Sequence, residues 1–273
     1  MDLSDFGVFR DFLQETCGIS LGENKQYLVS TRIRKILKEN NLETLTALVH
    51  TMSRGRHGKL RQAVIDAMTT NETFWFRDTY PFEYLKQTVL PEMMEQGRSP
   101  LRIWSAACSS GQEPFSISMS VEEYRRRAAG GLRREVELVG TDLSSVVLDT
   151  ASAGEYDRMA VLRGLSTERL DAYFDKLNDE TWRVKREVRS RVSFRSLNLM
   201  DPYITLGRFD IIFCRNVLIY FNRELKEDIL RRMHTSLNPG GLLFLGSSEG
   251  LAGAADLFEM INCSPGIVYR AIK

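Results

Sequence analysis

The chain reads as two architectures in series: an all-α first quarter, then an α/β domain with helices flanking a largely parallel sheet. Three observations carry this. Apolar residues before about position 70 recur at helical spacing. From Leu101 onward, short apolar runs alternate with amphipathic helices. Between them, the run Leu101–Ala106 dissolves into small residues and then opens a helix through Phe115, Ile117, Met119 and Val121. A strand that turns on small residues into a helix is how open α/β sheets present backbone N–H groups to a ligand. Gly111 is the only glycine of that turn, so the dinucleotide fingerprint G-x-G-x-x-G is absent.

Taken in order, Phe6, Phe9 and Leu13 form one helical stripe. After the turn 18–24, a second helix carries Leu28, Ile33, Ile36 and Leu37 toward a core and Arg32, Arg34, Lys35 and Lys38 largely outward. Such a basic face is either solvated or a docking surface for an acidic partner. Leu42, Leu45, Leu48 and Val49 mark a short helix, the segment 53–58 a loop, and Leu60, Val64 and Met68 a further helix.

The connection 69–78 places three aromatics, Phe74, Trp75 and Phe76, in a polar linker, where they are expected to plug an interface between domains. Asp78 or Thr79 caps the next helix, with Pro81 in its first turn, and Pro91 bends or ends it. The helix after Gly111 runs from about Glu113 to Arg127 and stops near Gly130 and Gly131. Glu135–Asp142 is a second strand ending in an acid, and Ser144 or Ser145 starts a short helix. Residues 155–177 read as irregular helix. Trp182–Lys185 and Val192–Arg195 alternate apolar with polar and read as antiparallel strands, a small β excursion. Arg208–Asn216 is a near-continuous apolar strand of the buried parallel kind. Asn222 caps a helix that Pro239-Gly240-Gly241 ends, and Leu242–Gly246 and Gly266–Ala271 complete the sheet. The expected division is 1–70 helical, 71–90 linker and first helix, and 91–273 the α/β domain, with the β-subdomain at about 178–196.

Composition excludes several classes. The 273 residues are 43% hydrophobic and 27% charged with a net charge of +1, so no bulk electrostatic case exists for nucleic acid or membrane. No run approaches the roughly 18 apolar residues of a membrane span. The start, Met1-Asp2-Leu3-Ser4-Asp5, lacks the basic and apolar regions of a signal peptide. The four cysteines are scattered and the three histidines unpaired, which fits a reduced cytoplasmic protein without metal.

Three strand ends carry pointed polar residues: the Ala106–Glu113 loop, Asp142, and Arg215-Asn216. Asp142 stands one βα unit after the small-residue loop, where nucleotide-binding sheets hold ribose hydroxyls, the favoured reading; the alternative is a cap for the next helix.

Four segments now appear in order: TNETFWFR at 70–77, AACSSGQEP at 106–114, GTDL at 140–143 and FCRNVLIYF at 213–221. Together they resemble CheR, the S-adenosylmethionine-dependent methyltransferase family of bacterial chemotaxis receptors, over nearly the whole chain. The resemblance implies a Rossmann-like methyltransferase domain with a small antiparallel β-subdomain, preceded by an all-α domain. It also implies methylation of receptor glutamates to methyl esters, with S-adenosylhomocysteine as the other product. On the matching positions, Asn71, Thr73 and Arg77 contact the cofactor, although Trp75 replaces the family's first Phe. Ala106 and Gly111 belong to its loop, Glu113 approaches its methionine end and Asp142 takes the ribose. Asn198 and Leu199 flank the adenine, and Arg215 and Asn216 line the same pocket.

A glutamate acceptor is ionised at neutral pH, with a free pKa of about 4.3, and needs no general base. Arg77 suits a carboxylate by charge-assisted hydrogen bonds, and Tyr220 can fix the acceptor oxygen; these two are the expected catalytic positions. The resemblance also makes Arg32, Arg34, Lys35 and Lys38 the docking face for cytoplasmic receptor helices. Family members that bind a receptor's C-terminal peptide carry a Gly-rich loop in the β-subdomain. Residues 175–182 are short and glycine-free, which predicts independence from such a tether. The expected protein is a cytoplasmic monomer without nucleic-acid partners or membrane insertion. A non-catalytic S-adenosylmethionine module is disfavoured by the intact Arg77 and Tyr220. An amino-methylating enzyme is disfavoured because Arg215–Leu218 is not an Asn/Asp-Pro-Pro-aromatic element.

Overall fold

The computed structural model describes residues 3–55, 57–95, 100–128 and 131–272. Met1, Asp2, Arg56 of the 53–58 loop and Gly130 of the expected helix stop lie outside them.

The N-terminal domain is all-α: α1 (Leu3–Cys17), α2 (Gln26–Glu39), α3 (Leu45–Ser53) and α4 (Gly58–Met68). Phe6, Phe9 and Leu13 meet Leu45, Leu48, Val64 and Met68 in one core. On α2 the fully buried pair is Val29 and Ile33, with Leu28, Ile36 and Leu37 only half-buried. The stripe is therefore rotated from the expected one, because the four-residue step from Val29 to Ile33 keeps both on the face toward α4. Asp5 accepts from Leu45 N and Thr46 N, so the α3 start is capped from α1 as well as by Thr44.

The second helix unit comprises α5 (Tyr80–Tyr84), a π turn (Leu85–Val89) and α6 (Leu90–Glu95). The helix runs on through Pro91 rather than ending there, and the π turn lies where the proline lacks an N–H to donate. Thr79 occupies the cap position but makes no side-chain cap bond, and the Asp78 carboxylate is turned away to Arg215.

The remaining elements are β1 (Leu101–Ala106), α7 (Gln112–Arg127), β2 (Val136–Asp142), α8 (Ser145–Ala153), β3 (Glu155–Asp157), α9 (Arg158–Leu162), α10 (Thr167–Tyr173), β4 (Phe174–Lys176), β5 (Thr181–Val184), α11 (Arg186–Arg189), β6 (Val192–Ser196), β7 (Phe209–Cys214), α12 (Arg223–Ser236), β8 (Leu237–Leu245), β9 (Phe258–Cys263) and β10 (Gly266–Ala271). Seven strands form one sheet in the order β6-β2-β1-β7-β8-β10-β9, and three form a small sheet in the order β3-β5-β4. Strands β6, β2, β1, β7 and β8 run parallel, and the β9–β10 hairpin closes one edge antiparallel. Order reverses at β1, between β2 and β7, which puts the ligand crevice at the carboxyl ends of these strands.

Two expectations are corrected. Val192–Ser196 is not part of the β excursion; it pairs parallel with β2 at the edge of the main sheet. An edge strand solvated on one side alternates polar and apolar just as an antiparallel hairpin does, so its pattern alone could not assign it. The small sheet recruits instead β3 and β4, three-residue strands from a stretch that reads as helix. Two of the three aromatics, Trp75 and Phe76, also do not plug the joint between the domains. Trp75, wholly buried, packs edge-on against Tyr156 and Phe174 of the small sheet, and Phe76 against Phe82. They belong to the core of the α/β domain.

Candidate functional site

Three loops converge at the carboxyl ends of β1, β2 and β7, and the backbone is strained there. Of the eight described non-glycine residues with positive φ, Phe76, Asp78, Thr79, Ala107, Ser109 and Asn216 lie in these loops or the linker that crosses them. Such clustering of disfavoured backbone is a mark of functional sites. The three loops and the linker enclose a cavity of about 500 Å³.

From β1 the chain turns through Ala107, Cys108 and Ser109 into α7. Ser109 N donates to Asp142 Oδ2 at 2.8 Å, and Ser144 N to Asp142 Oδ1 at 2.9 Å. One carboxylate thus clamps the β1 loop to the start of α8. The clamp is the helix-start role read from the sequence, and the carboxylate retains acceptor capacity beside it. Burial pushes its carboxyl up, opposed by the N–H groups of Ser144, Ser109 and Leu143.

Glu113 stands in the first turn of α7, where its charge suits the helix dipole. Its Oε1 accepts from Ser105 Oγ at 2.8 Å and its Oε2 from Arg215 Nη1 at 3.0 Å. Arg215, at the end of β7, is 1% exposed in its side chain. It also donates to Asp78 Oδ2 at 2.6 Å and to Arg77 O at 2.9 Å. Its Nε has no partner. The guanidinium therefore ties the linker to the β1 loop, and leaves one donor unused. Asn216 is held in its left-handed conformation (φ 59°) by Glu249, which accepts from Asn216 N at 2.6 Å and from Gly246 N at 2.8 Å.

The linker crosses the opening. Ser109 Oγ donates to Asn71 O at 2.9 Å, and Phe76 N to Ser116 Oγ at 3.1 Å. Arg77 is half-buried, 5.4 Å above the Phe74 ring, with one hydrogen bond of 3.3 Å to Glu72 O. Tyr220 closes the far side from a single 3₁₀ turn, Leu218–Tyr220.

Asn71, Thr73, Arg77, Glu113, Asp142, Asn198, Leu199, Arg215, Asn216 and Tyr220 all line this cavity. Ala106 and Gly111 do not. Ala106 is fully buried at the end of β1, and Gly111 serves helix packing: a Cβ there would lie 2.9 Å from Ala151 Cβ and 3.0 Å from the Tyr156 hydroxyl. Their loop reaches the cavity through Ala107, Cys108 and Ser109 instead. The four basic residues of α2 also separate. Arg34, Lys35 and Lys38 are exposed on the outer surface, whereas Arg32 turns inward, donating to Met68 O at 2.9 Å, Thr69 O at 3.1 Å and Thr70 Oγ1 at 3.2 Å. Sequence reasoning missed Asp78 and Glu249. Glu249 is an acid in the loop that follows β8, a signal that could have found it, whereas Asp78 stands in the linker before α5 and reads locally as a helix cap.

The donor set fits a nucleoside joined to an amino acid. Asp142 offers acceptors to paired hydroxyls, Glu113 an acceptor to an ammonium, the orphaned Arg215 Nε a donor, and Leu143, Leu197 and Leu199 apolar walls. No histidine lines the cavity, and no cluster among the described residues could hold a metal ion.

Comparison with known proteins agrees with this chemistry. Residues 71–267 match the CheR methyltransferase S-adenosylmethionine-binding domain, and residues 4–69 the CheR methyltransferase all-alpha domain. Chemotaxis protein methyltransferase 1 of Pseudomonas aeruginosa is 57% identical over 269 residues, covering 98% of both chains. Chemotaxis protein methyltransferase Cher2 of Pseudomonas putida is 55% identical over 268 residues, also 98% of both. The chemotaxis protein methyltransferase of Salmonella typhimurium is 33% identical over 252 residues, 91% of this chain and 84% of that one. With both domain models matched in order and the strand-end residues gathered around one cavity, the chain belongs to the CheR methyltransferase family and is an S-adenosylmethionine-dependent methyltransferase.

Proposed function

We propose that this enzyme methylates glutamate side chains in the cytoplasmic helices of chemoreceptors, yielding glutamate methyl esters for adaptation in chemotaxis. One observation carries the reading: Arg77 and Tyr220 reach the same cavity as Glu113 and Asp142, with no histidine beside them. S-adenosylmethionine supplies, when bound, a methyl group on a sulfonium sulfur. Asp142 and Asn198 would hold its nucleoside end, Glu113 and the unused Arg215 Nε its amino-acid end. The chain's own task is then orientation. No proton has to leave a glutamate carboxylate at neutral pH, so an acceptor-binding arginine and a hydroxyl replace a base. Holding the reactants in line supplies up to roughly 7–11 kcal/mol of the barrier. The exposed Arg34, Lys35 and Lys38 would meet the acidic receptor helix, while Arg32, spent on the α4 end, would support rather than dock. The turn between β4 and β5 spans only Leu177–Glu180, which supports independence from a C-terminal receptor peptide. The enzyme would act in the cytoplasm as a monomer.

The test is transfer of label from S-adenosylmethionine to receptor-containing membranes by the purified protein. Alkali-labile label on the receptor is the expected result. Cofactor binding without transfer would reduce the protein to a binding module, and alkali-stable label would point to nitrogen methylation.

A further inference from the structure

The last turn of α1 and its connection to α2 form one wall of the cavity, through Cys17, Ile19, Ser20 and Leu21. This segment holds both ends of the site by its backbone. Thr16 O accepts from Asn198 Nδ2 at 2.8 Å, and Ser20 N donates to Tyr220 O at 2.8 Å. Between these two bonds Gly18 turns the chain at φ 75° directly against the α/β domain. A Cβ at Gly18 would stand 2.3 Å from Leu225 Cδ2 and 3.2 Å from Phe221 Cδ1. The glycine is thus required twice, for its dihedral and for its closeness.

Tyr220 needs such support. It ends an isolated 3₁₀ turn, a conformation with poor hydrogen-bond geometry that does not by itself fix a side chain to a few tenths of an ångström. We infer that residues 16–20 of the helical domain are a positioning element for methyl transfer, setting Tyr220 against Asn198 and so the acceptor against the donor. This rests on the reading of the site proposed above. The competing account is plain packing between domains, under which these contacts contribute stability and leave turnover alone.

Gly18→Ala and Gly55→Ala separate the accounts. Gly55 has φ 93° with open space beside it, so alanine meets the same kind of backbone strain there without a neighbour to displace. Gly18→Ala should lower kcat about tenfold or more relative to Gly55→Ala and raise the Kd for S-adenosylhomocysteine, with both variants folded by circular dichroism. Should Gly18→Ala fail to fold, Ser20→Pro removes the N–H that holds Tyr220 O, along with the φ freedom of residue 20. Its kcat should fall about tenfold while the Kd for S-adenosylhomocysteine stays within about threefold, and a Tyr220→Phe background should shrink the loss. Variants that melt earlier yet turn over like Gly55→Ala overturn the inference. A wild-type enzyme that transfers nothing, assayed in parallel, would count against the proposed function instead.

Discussion

Arg215 shows how one almost wholly buried side chain can organise a site that it also lines. Its guanidinium satisfies Glu113 on α7 and, in the linker, the Asp78 carboxylate and the Arg77 carbonyl, joining two parts of the chain distant in sequence. Breaking such a buried pair leaves an uncompensated charge, so this residue is expected to serve folding and cofactor placement together. Arg77 is the opposite case. Its side chain makes one long hydrogen bond and a half-exposed contact with Phe74, so Arg77→Ala should change stability by less than about 1 kcal/mol. Its kcat should fall roughly 10²-fold if, as proposed, its guanidinium holds the acceptor. Thermal melting and single-turnover transfer measure the two, and an unaltered rate would remove Arg77 from the site. Asp142→Ala should weaken cofactor binding about tenfold or more by calorimetry, and also orphan the N–H groups of Ser109 and Ser144, at about 1–3 kcal/mol of stability each. Affinity unchanged in a variant of lower Tm would leave Asp142 as a loop clamp alone.

Among the elements, the linker 69–79 is the one whose character changed most between sequence and structure. Its aromatics look like a plug between domains, but Trp75 and Phe76 are drawn into the α/β core while Phe74 stays at the cavity. Gly164 makes room for this, its missing Cβ lying where Trp75 O would be 2.3 Å away. Nearby, the π turn, α7 and α10 are joined by a largely buried charge cluster: Glu123 accepts from Lys86 at 2.7 Å and from Arg169 at 2.7 Å. Burial pushes the Glu123 carboxyl up, but the hydrogen bonds and charges of Arg169 and Lys86 outweigh it, and the net displacement is below the ordinary 4.5. A depressed folded-state pKa gives stability that is present above the unfolded value and lost as pH falls through the folded one. Glu123→Gln should therefore be less stable at neutral pH and lose less further stability below pH 4.5 than the wild type. Parallel acid limbs in urea melts at stepped pH would show that the cluster contributes nothing.

At the scale of the molecule, the joint between domains is polar and specific. Gln62 Nε2 donates to Leu143 O, and Asp66 accepts from Ser145 N, so α4 grips the loop that follows Asp142. Together with Thr16 and Ser20 this makes the helical domain part of the cavity rather than a neighbour of it. If docking rests on α2 alone, a receptor trimmed of its C-terminal tail should be methylated as fast as the intact one. A large loss of kcat/KM on trimming would show that the small sheet recruits a tether after all. Local chemistry in the sequence was enough for the α/β alternation, the strand ends and most cavity residues, because strand termini, small-residue turns and helix caps such as Asn222 are written in neighbouring residues. It also carried the four family segments. What only the tertiary structure decided were pairings across long separations: that Val192–Ser196 joins the main sheet, that Glu155–Asp157 and Phe174–Lys176 flank β5, that Arg32 faces inward, and that Asp78 and Glu249 brace Arg215 and Asn216. A short amphipathic segment can satisfy its pattern against several partners, and a charged side chain its charge likewise, so the choice belongs to the packed whole.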